Sequence, residues 1–528
     1  MLHENILHDP AHLQELMQLL TQSIVADVEG QADEALASVE RAVALDSSFV
    51  PALMRRADIL LTRERYDEAI AAYDDCLFRF PTLLEARDSR QRALFLALEQ
   101  CIMSLEEDPQ DVVTGCRQAG LLMQLERYDE ALSCLDRLLH FAPTNQQALN
   151  QRGNVLLYLN RHEEAVLCYD RILAQSSRNA AAVFNRGNVL QKMNCLNQAM
   201  WCFQQALVLQ PNFPEAEMAH SHCLLQQGDF ARGWPRHEAR WRTAQLSGQD
   251  LFPRIPAWLG EPSLAGKSIV LWAEQGLGDT LQFARYIPLI AESAAQVTVC
   301  VPETLHRLLS SFSSLPNVTI VVNKSGLAAH DFHCPLMSLP LALSWQLAGI
   351  PSTVPYLHAD PELVGQWATR LSSATDKLRV GLTWAGRQFG TLNRTRDIPL
   401  RYLRPLADIP VDLISLQLEM PERDAAEADT WQGMRRVEGD LSDMAETAAL
   451  IANLDLVISA DTAVIHLAGA LGKPAWLLLR YESEWRWGWQ TGNSRWYPTV
   501  KVFRQQVRGD WSGVVDEVSE CLRLAAGQ

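Results

Sequence analysis

The sequence predicts two kinds of structure in one chain: an α-solenoid of helix pairs, followed by two α/β lobes with parallel sheets. Three observations predict this. Small residues recur at a fixed interval in the first half, short β-rich runs alternate with helical patterns in the second half, and a Pro- and Gly-rich stretch separates the two. At 528 residues, the chain is long enough for three or four compact units.

The small residues define the repeat. Three of their four successive intervals equal 34, which is the period of the tetratricopeptide (TPR) repeat, and the other is 62. They allow two helices of one repeat to approach closely, while aromatic residues such as Tyr73, Tyr169 and Phe203 fill the space between repeats. The recurring positions are Ala35, Ala69, Ala131, Ala165 and Ala199.

Two segments depart from the repeat. The 62-residue interval contains a helical stretch, 83 to 108, that is either a degenerate repeat or an inserted helix. A last degenerate repeat is expected at 228 to 241, where Gly233 keeps the period. We therefore assign residues 1–245 to the solenoid.

The solenoid predicts a binding surface. Stacked helix pairs form concave faces that commonly hold extended peptides, so we expect this part to bind a protein or peptide partner. A scaffold or dimerisation arm, and hence a homo-oligomer, is the alternative interpretation.

The second half has the pattern of βαβ units. β-rich runs predict strands at 268–272, 297–301, 318–322, 380–383, 413–416, 456–459 and 474–479. Residues 246–266 read as a linker, 267–375 as the first Rossmann-like lobe, and 376–528 as the second, with a C-terminal helix at 509–525. Ligands of such lobes bind in the crevice at the carboxyl ends of the strands.

The first strand-to-helix junction is Gln275-Gly-Leu-Gly-Asp279, which we assign to a loop on the acceptor side. Gly276 and Gly278 permit a tight turn with close backbone approach. Asp279 is expected at or just before the helix start, where a carboxylate is either a helix cap or a catalytic base.

The second junction opens the second lobe. The strand at 380–383 runs into Trp384-Ala-Gly386, and Arg396 follows shortly before a proline. Trp384, Gly386 and Arg396 are predicted to bind the donor. The planar guanidinium of arginine suits phosphate oxygens, although a solvated loop arginine is the alternative.

The third junction is Asp461-Thr-Ala-Val-Ile-His466. The N–H groups of Thr462 and Ala463 at a helix start predict a phosphate site. A carboxylate repels phosphate, so we assign Asp461 to capping or to sugar hydroxyls. His466 is either a ligand or a packing residue.

Composition limits the partners. A net charge of −17 argues against nucleic acid, which normally needs a basic face. Eleven scattered cysteines without a C-x-x-C pair indicate reduced thiols and give no disulfide or zinc framework. Without a leader or an apolar run long enough to span a membrane, the chain is expected to be cytoplasmic.

Two other groups of residues are candidate sites. His330, His333 and Cys334 lie in an extended run without a visible fourth ligand, which favours a structural role over a metal site. Four tryptophans line a sugar or acceptor pocket or pack a lobe interface, and alternation at 485, 487 and 489 favours one shared face. These are Trp485, Trp487, Trp489 and Trp496.

The three junctions together resemble family 9 glycosyltransferases, the heptosyltransferase-like group, over residues 267 to 505. The resemblance implies a GT-B fold and inverting, metal-independent transfer from a nucleotide-diphosphate sugar, which is a substrate and not a cofactor. It assigns the general base to Asp279 and places Arg396 where those enzymes hold the donor phosphates with lysine. The family's proline after the Gly-Asp turn is replaced here by Thr280, so its acceptor specificity is not carried over.

The joining of repeats to a GT-B module is also similar in architecture to O-GlcNAc transferases. A non-catalytic scaffold with a degenerate module, and an envelope-glycan glycosyltransferase, are the alternative functions. The sequence leaves the sugar, nucleobase, acceptor and oligomeric state open.

Overall fold

The structure is a computed structural model of the chain. It describes all residues except 1–9, 81, 249–250, 323–326, 328, 345–348, 373–376, 387–395, 483, 490–491 and 528. The chain forms two compact units, Met1–Met193 and Asn194–Gln528. The boundary between the units therefore lies inside the repeats, before the sequence-predicted end of the solenoid at residue 245.

The first unit is helical throughout its described residues. Its helices follow one another with short turns, as the repeat pattern predicts. They are α1 (Pro10–Val28), α2 (Ala32–Leu45), α3 (Val50–Thr62), α4 (Tyr66–Arg79), α5 (Leu84–Glu107), α6 (Val112–Gln124), α7 (Tyr128–Phe141), α8 (Gln146–Tyr158), α9 (His162–Gln175) and α10 (Ala180–Lys192).

Left-handed turn residues mark the repeats. Gly30, Glu64, Glu126 and Asn160 have φ between 58° and 79° and separate the two helices of successive pairs. They follow the same intervals as the small residues, 34, 62 and 34. The backbone thus confirms the period that the side chains predicted.

Close helix packing explains the small residues. A Cβ atom on Gly153 would lie 2.6 Å from Cζ of Tyr169, and one on Gly115 would lie 2.5 Å from Cδ2 of Leu138. The Tyr169 hydroxyl donates to Asn154 Oδ1 at 2.7 Å. Glycine is therefore required where the second helix of a pair presents a large side chain to the first.

The 62-residue interval contains the 24-residue helix α5. Arg90 in α5 pairs with Asp74, sixteen residues earlier, as Arg152 in α8 pairs with Asp136 at 2.7 Å. Helix α5 thus starts like the first helix of a repeat and continues without turning, so it has features of both interpretations made from the sequence.

The second unit begins with the last repeat helices. These are α11 (Leu196–Leu209), α12 (Pro214–Gln227) and α13 (Phe230–His237), followed by a 3-10 segment at Glu238–Arg242. Asn194 and Gly228 keep the 34-residue spacing of left-handed turns. A Cβ on Gly233 would lie 2.5 Å from Leu225 Cδ2, so the predicted last repeat is confirmed.

The first sheet has four parallel strands in the order β3-β2-β1-β4. Its strands are β1 (Ser268–Trp272), β2 (Gln296–Cys300), β3 (Val318–Val321) and β4 (Phe332–Pro335). Around it lie α14 (Leu277–Phe283), α15 (Ile287–Ser293), α16 (Glu303–Leu309), α17 (Leu339–Ala342) and α18 (Pro361–Arg370), with 3-10 segments at Ala284–Tyr286, Ser310–Ser314 and Leu336–Ser338.

The second sheet has seven strands in the order β10-β11-β9-β8-β5-β6-β7, parallel except for β10. They are β5 (Arg379–Thr383), β6 (Asp412–Ser415), β7 (Met434–Arg436), β8 (Leu456–Ala460), β9 (Ala475–Leu479), β10 (Gly492–Asn493) and β11 (Val500–Arg504). The helices are α19 (Glu422–Asp429), α20 (Met444–Ala452), α21 (Ala463–Ala470) and α22 (Trp511–Ala525), with 3-10 segments at Leu400–Asp408, Glu438–Asp440 and Trp485–Trp487.

The strand order locates the crevices. The order reverses between β1 and β4 in the first sheet and between β5 and β8 in the second. Ligands of parallel sheets bind at such reversal points, outside the carboxyl ends of the strands. The predicted junctions after β1, β5 and β8 lie at these places.

One hydrophobic core joins the parts of the second unit. It contains Trp234 from the last repeat, Ile269 from β1, Leu450 from α20 and Trp496. A second core covers the opposite face of the larger sheet and includes Trp511 of the C-terminal helix. Within the described part of the chain, every helix is too short or too polar to cross a lipid bilayer.

Candidate functional site

Two of the three predicted junctions meet directly. Helix α14, after β1, packs on helix α21, after β8. A Cβ on Gly278 would lie 2.9 Å from His466 Cδ2 and 3.6 Å from the Ala463 Cα. Gly278 therefore acts through close approach of the two helices, since any side chain would separate them.

Asp279 is the third residue of α14 and caps its start. Its Oδ2 accepts a hydrogen bond from the Gly276 backbone N–H at 3.0 Å. Gln275 and Gly276 are exposed beside it. The cap predicted for Asp279 is thus observed, and its other oxygen, Oδ1, forms a short ion pair with Arg486.

Arg486 was not identified from the sequence. Its buried guanidinium contacts Asp279, Glu484 and, through Nε at 2.9 Å, Oε1 of Gln282. Burial alone would lower the pKa of Arg486, but Asp279 and Glu484 raise it above its ordinary value. The sequence feature that could have identified Arg486 is its position between two tryptophans, Trp485 and Trp487.

Thr462 and Asp461 lie at the start of α21. Thr462 is the N-cap residue, and its Oγ1 accepts from the Val464 N–H at 3.3 Å. Asp461 Oδ1 accepts from the Trp487 indole N–H at 2.9 Å. Burial, followed by repulsion from Glu484, raises the pKa of the Asp461 carboxyl.

Arg396 belongs to the same group of charges. Its positive charge opposes the rise in the pKa of Asp461 and helps to lower that of Glu484. The preceding residues 393–395, also part of the predicted second junction, lie outside the described residues. The structure thus brings Arg396, Asp461 and Arg486 into one electrostatic network.

His466 is buried between the two lobes. Its Nδ1 lies 3.0 Å from the Tyr497 hydroxyl, and its ring lies 5.0 Å from that of Trp487. Burial, followed by the charge of Arg486, lowers the pKa of His466 well below its ordinary value. A neutral imidazole packed in this way matches the packing interpretation.

Trp384 requires a correction. Its side chain is fully buried in the core, and the indole N–H donates to Asp424 Oδ2 at 3.1 Å. Trp384 therefore supports the loop after β5, and its ring does not line the crevice. Gly386 lies two residues further on, and its N–H donates to Asp397 Oδ1 at 3.0 Å. No atom of the described residues lies within 4 Å of a Cβ placed on Gly386.

The tryptophans pack the lobe and do not alternate along a strand. The 3-10 segment Trp485–Trp487 turns the chain, so the prediction of one shared face was wrong. The ring centre of Trp485 lies 5.5 Å from that of Trp234 and 6.2 Å from that of Trp496, whereas Trp489 is exposed. His333, considered as a metal ligand, is buried and accepts from Trp272 Nε1 at 3.1 Å.

A second ion cluster lies behind the Asp279 loop. Glu274, directly before Gln275, binds Arg240 of the last repeat segment at 3.0 Å, and Arg240 also contacts Glu238 and Ser338. The Glu274 and Arg240 side chains are each 1% exposed. Burial raises the pKa of Glu274 to about 7, against the opposing charge of Arg240.

Comparisons with known families agree with both parts of the chain. The family described as "Tetratricopeptide repeat" matches residues 20–83, 116–180 and 150–192. The family described as "Glycosyltransferase family 9 (heptosyltransferase)" matches residues 417–495. The chain contains repeats similar to the first family and a segment similar to the second. That segment contains Asp461 and Arg486, whereas Asp279 lies outside it.

One curated relative and several solved structures are similar to the chain. Protein FlbA of Caulobacter vibrioides is 28% identical over 346 residues, which are 60% of this chain and 57% of FlbA. A tetratricopeptide repeat protein from Parabacteroides merdae is 18% identical over 44% of this chain and 83% of its own, with a TM-score of 0.27. MamA is 16% identical over 31% of this chain and 93% of its own, with a TM-score of 0.26.

Proposed function

We propose that the chain is a glycosyltransferase that moves a sugar from a nucleotide-diphosphate donor to an acceptor hydroxyl, with inversion and without a metal ion. One observation carries the proposal: the Asp279 loop of the first lobe packs on the helix start at Thr462 in the second, with Arg396 in the same group of charges. This packing supports the assignment of a base to the first lobe and of an anion-binding helix start to the second.

Asp279 is the proposed general base. It takes the proton of the acceptor hydroxyl while the hydroxyl oxygen attacks the anomeric carbon and the bond to the diphosphate breaks. Each of its oxygens already accepts one hydrogen bond, from Gly276 or Arg486, and retains lone pairs. Arg486 keeps Glu484 and Gln282 as partners, so it remains held when an acceptor approaches Asp279.

The second lobe is the proposed donor side. The N–H groups of Thr462 and Ala463 at the start of α21 are the proposed donors to the diphosphate, since the Val464 N–H is already bound by Thr462 Oγ1. Together with Arg396 they offset the negative charge that grows on the leaving diphosphate. Asp461, whose carboxylate is turned to Trp487, is left to contact sugar hydroxyls.

The repeats are the proposed recruiting surface for a protein or peptide acceptor, since stacked TPR helices hold extended chains. Assembly of two copies through the repeats is a further use of the same surface. All eleven cysteines are free thiols, which supports a reducing compartment such as the cytoplasm.

A nucleotide-sugar panel tests the proposal. Donor hydrolysis and thermal stabilisation are measured for the wild type, Asp279→Asn and Arg396→Gln. We expect Asp279→Asn to lose about 10²- to 10⁴-fold in turnover while still binding the donor, because only the proton acceptor is removed. Arg396→Gln should weaken donor binding.

Asp516→Asn and Arg401→Gln are the matched controls, because both residues are exposed and lie away from the Asp279 loop in sequence. Both controls should behave as the wild type. Full turnover in Asp279→Asn would exclude the base assignment, and failure of every donor to bind would favour a non-catalytic scaffold.

A further inference from the structure

Arg504 is a buried cation with incomplete hydrogen bonding. It ends β11, and its side chain is 5% exposed. One nitrogen, Nη2, donates to the Gly488 carbonyl at 2.9 Å. Nε and Nη1 have no hydrogen-bond partner among the described residues. A buried guanidinium with unused donors is unfavourable in the unliganded protein, so the fold bears a penalty there that a ligand could remove.

The position of Arg504 links it to the proposed donor side. Strand β11 pairs with β9, and β9 with β8, so the carboxyl ends of all three lie at one sheet edge. Trp487 binds Asp461, and the next residue, Gly488, binds Arg504. Arg504 therefore lies beside the Asp461 end of the crevice.

The guanidinium is charged and lies beside an exposed indole. Burial lowers the pKa of Arg504 to about 10 and Asp461 opposes this, which leaves the group protonated at neutral pH. Its Cζ lies 5.9 Å from the ring centre of Trp489, which is 44% exposed. The unused nitrogens therefore lie near an exposed aromatic side chain.

We propose that Arg504 binds an oxyanion of the donor, either a phosphate or a carboxylate on the sugar. A guanidinium forms its strongest hydrogen bonds with these two groups. The Asp461 carboxylate does not supply this oxyanion, because its Oδ1 accepts from the Trp487 indole N–H. The inference rests on the proposed function, since it assigns the oxyanion to that donor.

Equilibrium binding to the full chain distinguishes the two sources. The probes are inorganic pyrophosphate for the phosphate, and the pair UDP-glucose and UDP-glucuronic acid, which differ by one carboxylate. Arg504→Gln should weaken pyrophosphate binding about tenfold or more if phosphate is the partner, or abolish a preference for UDP-glucuronic acid if carboxylate is. Arg504→Lys keeps the charge but has fewer hydrogen-bond donors, so its affinity for the probe should lie between those of the wild type and Arg504→Gln.

Two comparisons separate this inference from the proposed function. Arg523→Gln, at an exposed position of the C-terminal helix, is the control and should bind as the wild type. If Arg396→Gln loses pyrophosphate and Arg504→Gln binds all probes normally, the inference is wrong and the donor site stands. If Arg504→Gln fails to bind a probe and Arg396→Gln binds all probes normally, the inference is supported and the assignment of Arg396 to the donor phosphates is wrong. Failure of the wild type to bind any probe contradicts both.

Folding is checked by the melting temperature without ligand. Because Arg504→Gln removes a buried charge with unused donors, we expect its melting temperature to equal or exceed that of the wild type. A marked fall, with probe binding retained by Arg504→Lys at the wild-type level, would assign Arg504 a structural role.

Discussion

Asp279, Arg486 and Glu484 form a chain of charges in which the arginine lies between two carboxylates. The arginine stabilises both anions in a site that excludes much of the water. Removal of such a buried partner is costly, because it leaves charges without compensation. The arrangement therefore fixes the position of Asp279.

Arg486→Gln should destabilise the protein by about 3 to 5 kcal/mol, because Glu484 and Asp279 lose a buried partner. The matched control is Arg127→Gln, which breaks an exposed pair with Glu130 and should change stability by about 0 to 1 kcal/mol. Urea unfolding measures both variants. Equal losses would show that the Arg486 cluster is solvated.

Local residues of the site were predictable, and distant partners were not. Asp279, Arg396 and Thr462 follow from strand-to-helix junctions, which are short-range patterns. Arg486 lies 207 residues from Asp279, and no periodicity connects the two. Trp384 was misassigned because a tryptophan after a strand fits both a crevice and a core, and only the position of Asp424 decides between them.

At the scale of elements, a repeat is held together by one glycine and one large side chain facing it. Gly153 faces Tyr169 in this way, whereas the nearest atom to a Cβ on Gly120 would be Gln151 Nε2 at 3.6 Å. Both glycines lie inside helices. An alanine at either position gains helix propensity, but only at Gly153 does it also cause a steric clash, so comparison of the two substitutions separates these two effects.

Gly120→Ala should raise stability by about 0.5 to 1 kcal/mol through helix propensity. Gly153→Ala should lower it by about 1 to 3 kcal/mol, because the methyl group would overlap the Tyr169 ring. Thermal and urea unfolding compare the two. If both substitutions stabilise, the helices of this pair are free to separate.

The last repeat contains a buried histidine that should make stability depend on pH. Burial, followed by Arg236 and Arg232, lowers the pKa of His220 from 6.5 to about 4. The unfolded chain takes up this proton as the pH falls below 6.5, but the folded chain does not. Stability is therefore lost between pH 6.5 and 4, by up to about 3 kcal/mol.

Urea unfolding of the wild type and His220→Gln between pH 7 and 4 measures this loss. The wild type should lose more stability than the variant over this range. His140→Gln, at an exposed position, should follow the wild type. Parallel curves for all three proteins would contradict the assignment to His220.

Most strands were predicted within one residue, because β-branched runs mark buried parallel strands. β4, β7, β10 and β11 were not predicted, and the sequences of β4 and β11 show why. Phe332-His-Cys-Pro335 contains a proline and a histidine, and Val500-Lys-Val-Phe-Arg504 carries two charges. Each is recognised as a strand only by pairing with a distant neighbour, β1 or β9.

At the scale of the whole molecule, the boundary of the second unit lies inside the repeats. Arg240 forms an ion pair with Glu274, which precedes the Asp279 loop. The ring centre of Trp234 lies 6.1 Å from that of Phe283 and 5.5 Å from that of Trp485. The last repeat helices thus form part of the wall of the first lobe.

Two fragments test this boundary. Residues 194–528 should remain folded and keep donor binding, because they contain a complete core. Residues 246–528, cut at the sequence-predicted end of the solenoid, should aggregate or melt at a lower temperature, since Glu274 would lose Arg240. Equal stability of the two fragments by circular dichroism would place the boundary after the repeats.

The core shared by Trp234, Ile269, Leu450 and Trp496 has a consequence for cooperativity. Two lobes with separate cores would melt in separate steps, whereas a continuous core couples them into one foldon. The second unit should therefore show a single calorimetric transition, with equal calorimetric and van't Hoff enthalpies. The slowest-exchanging amides of β1 and β8 should share one opening free energy.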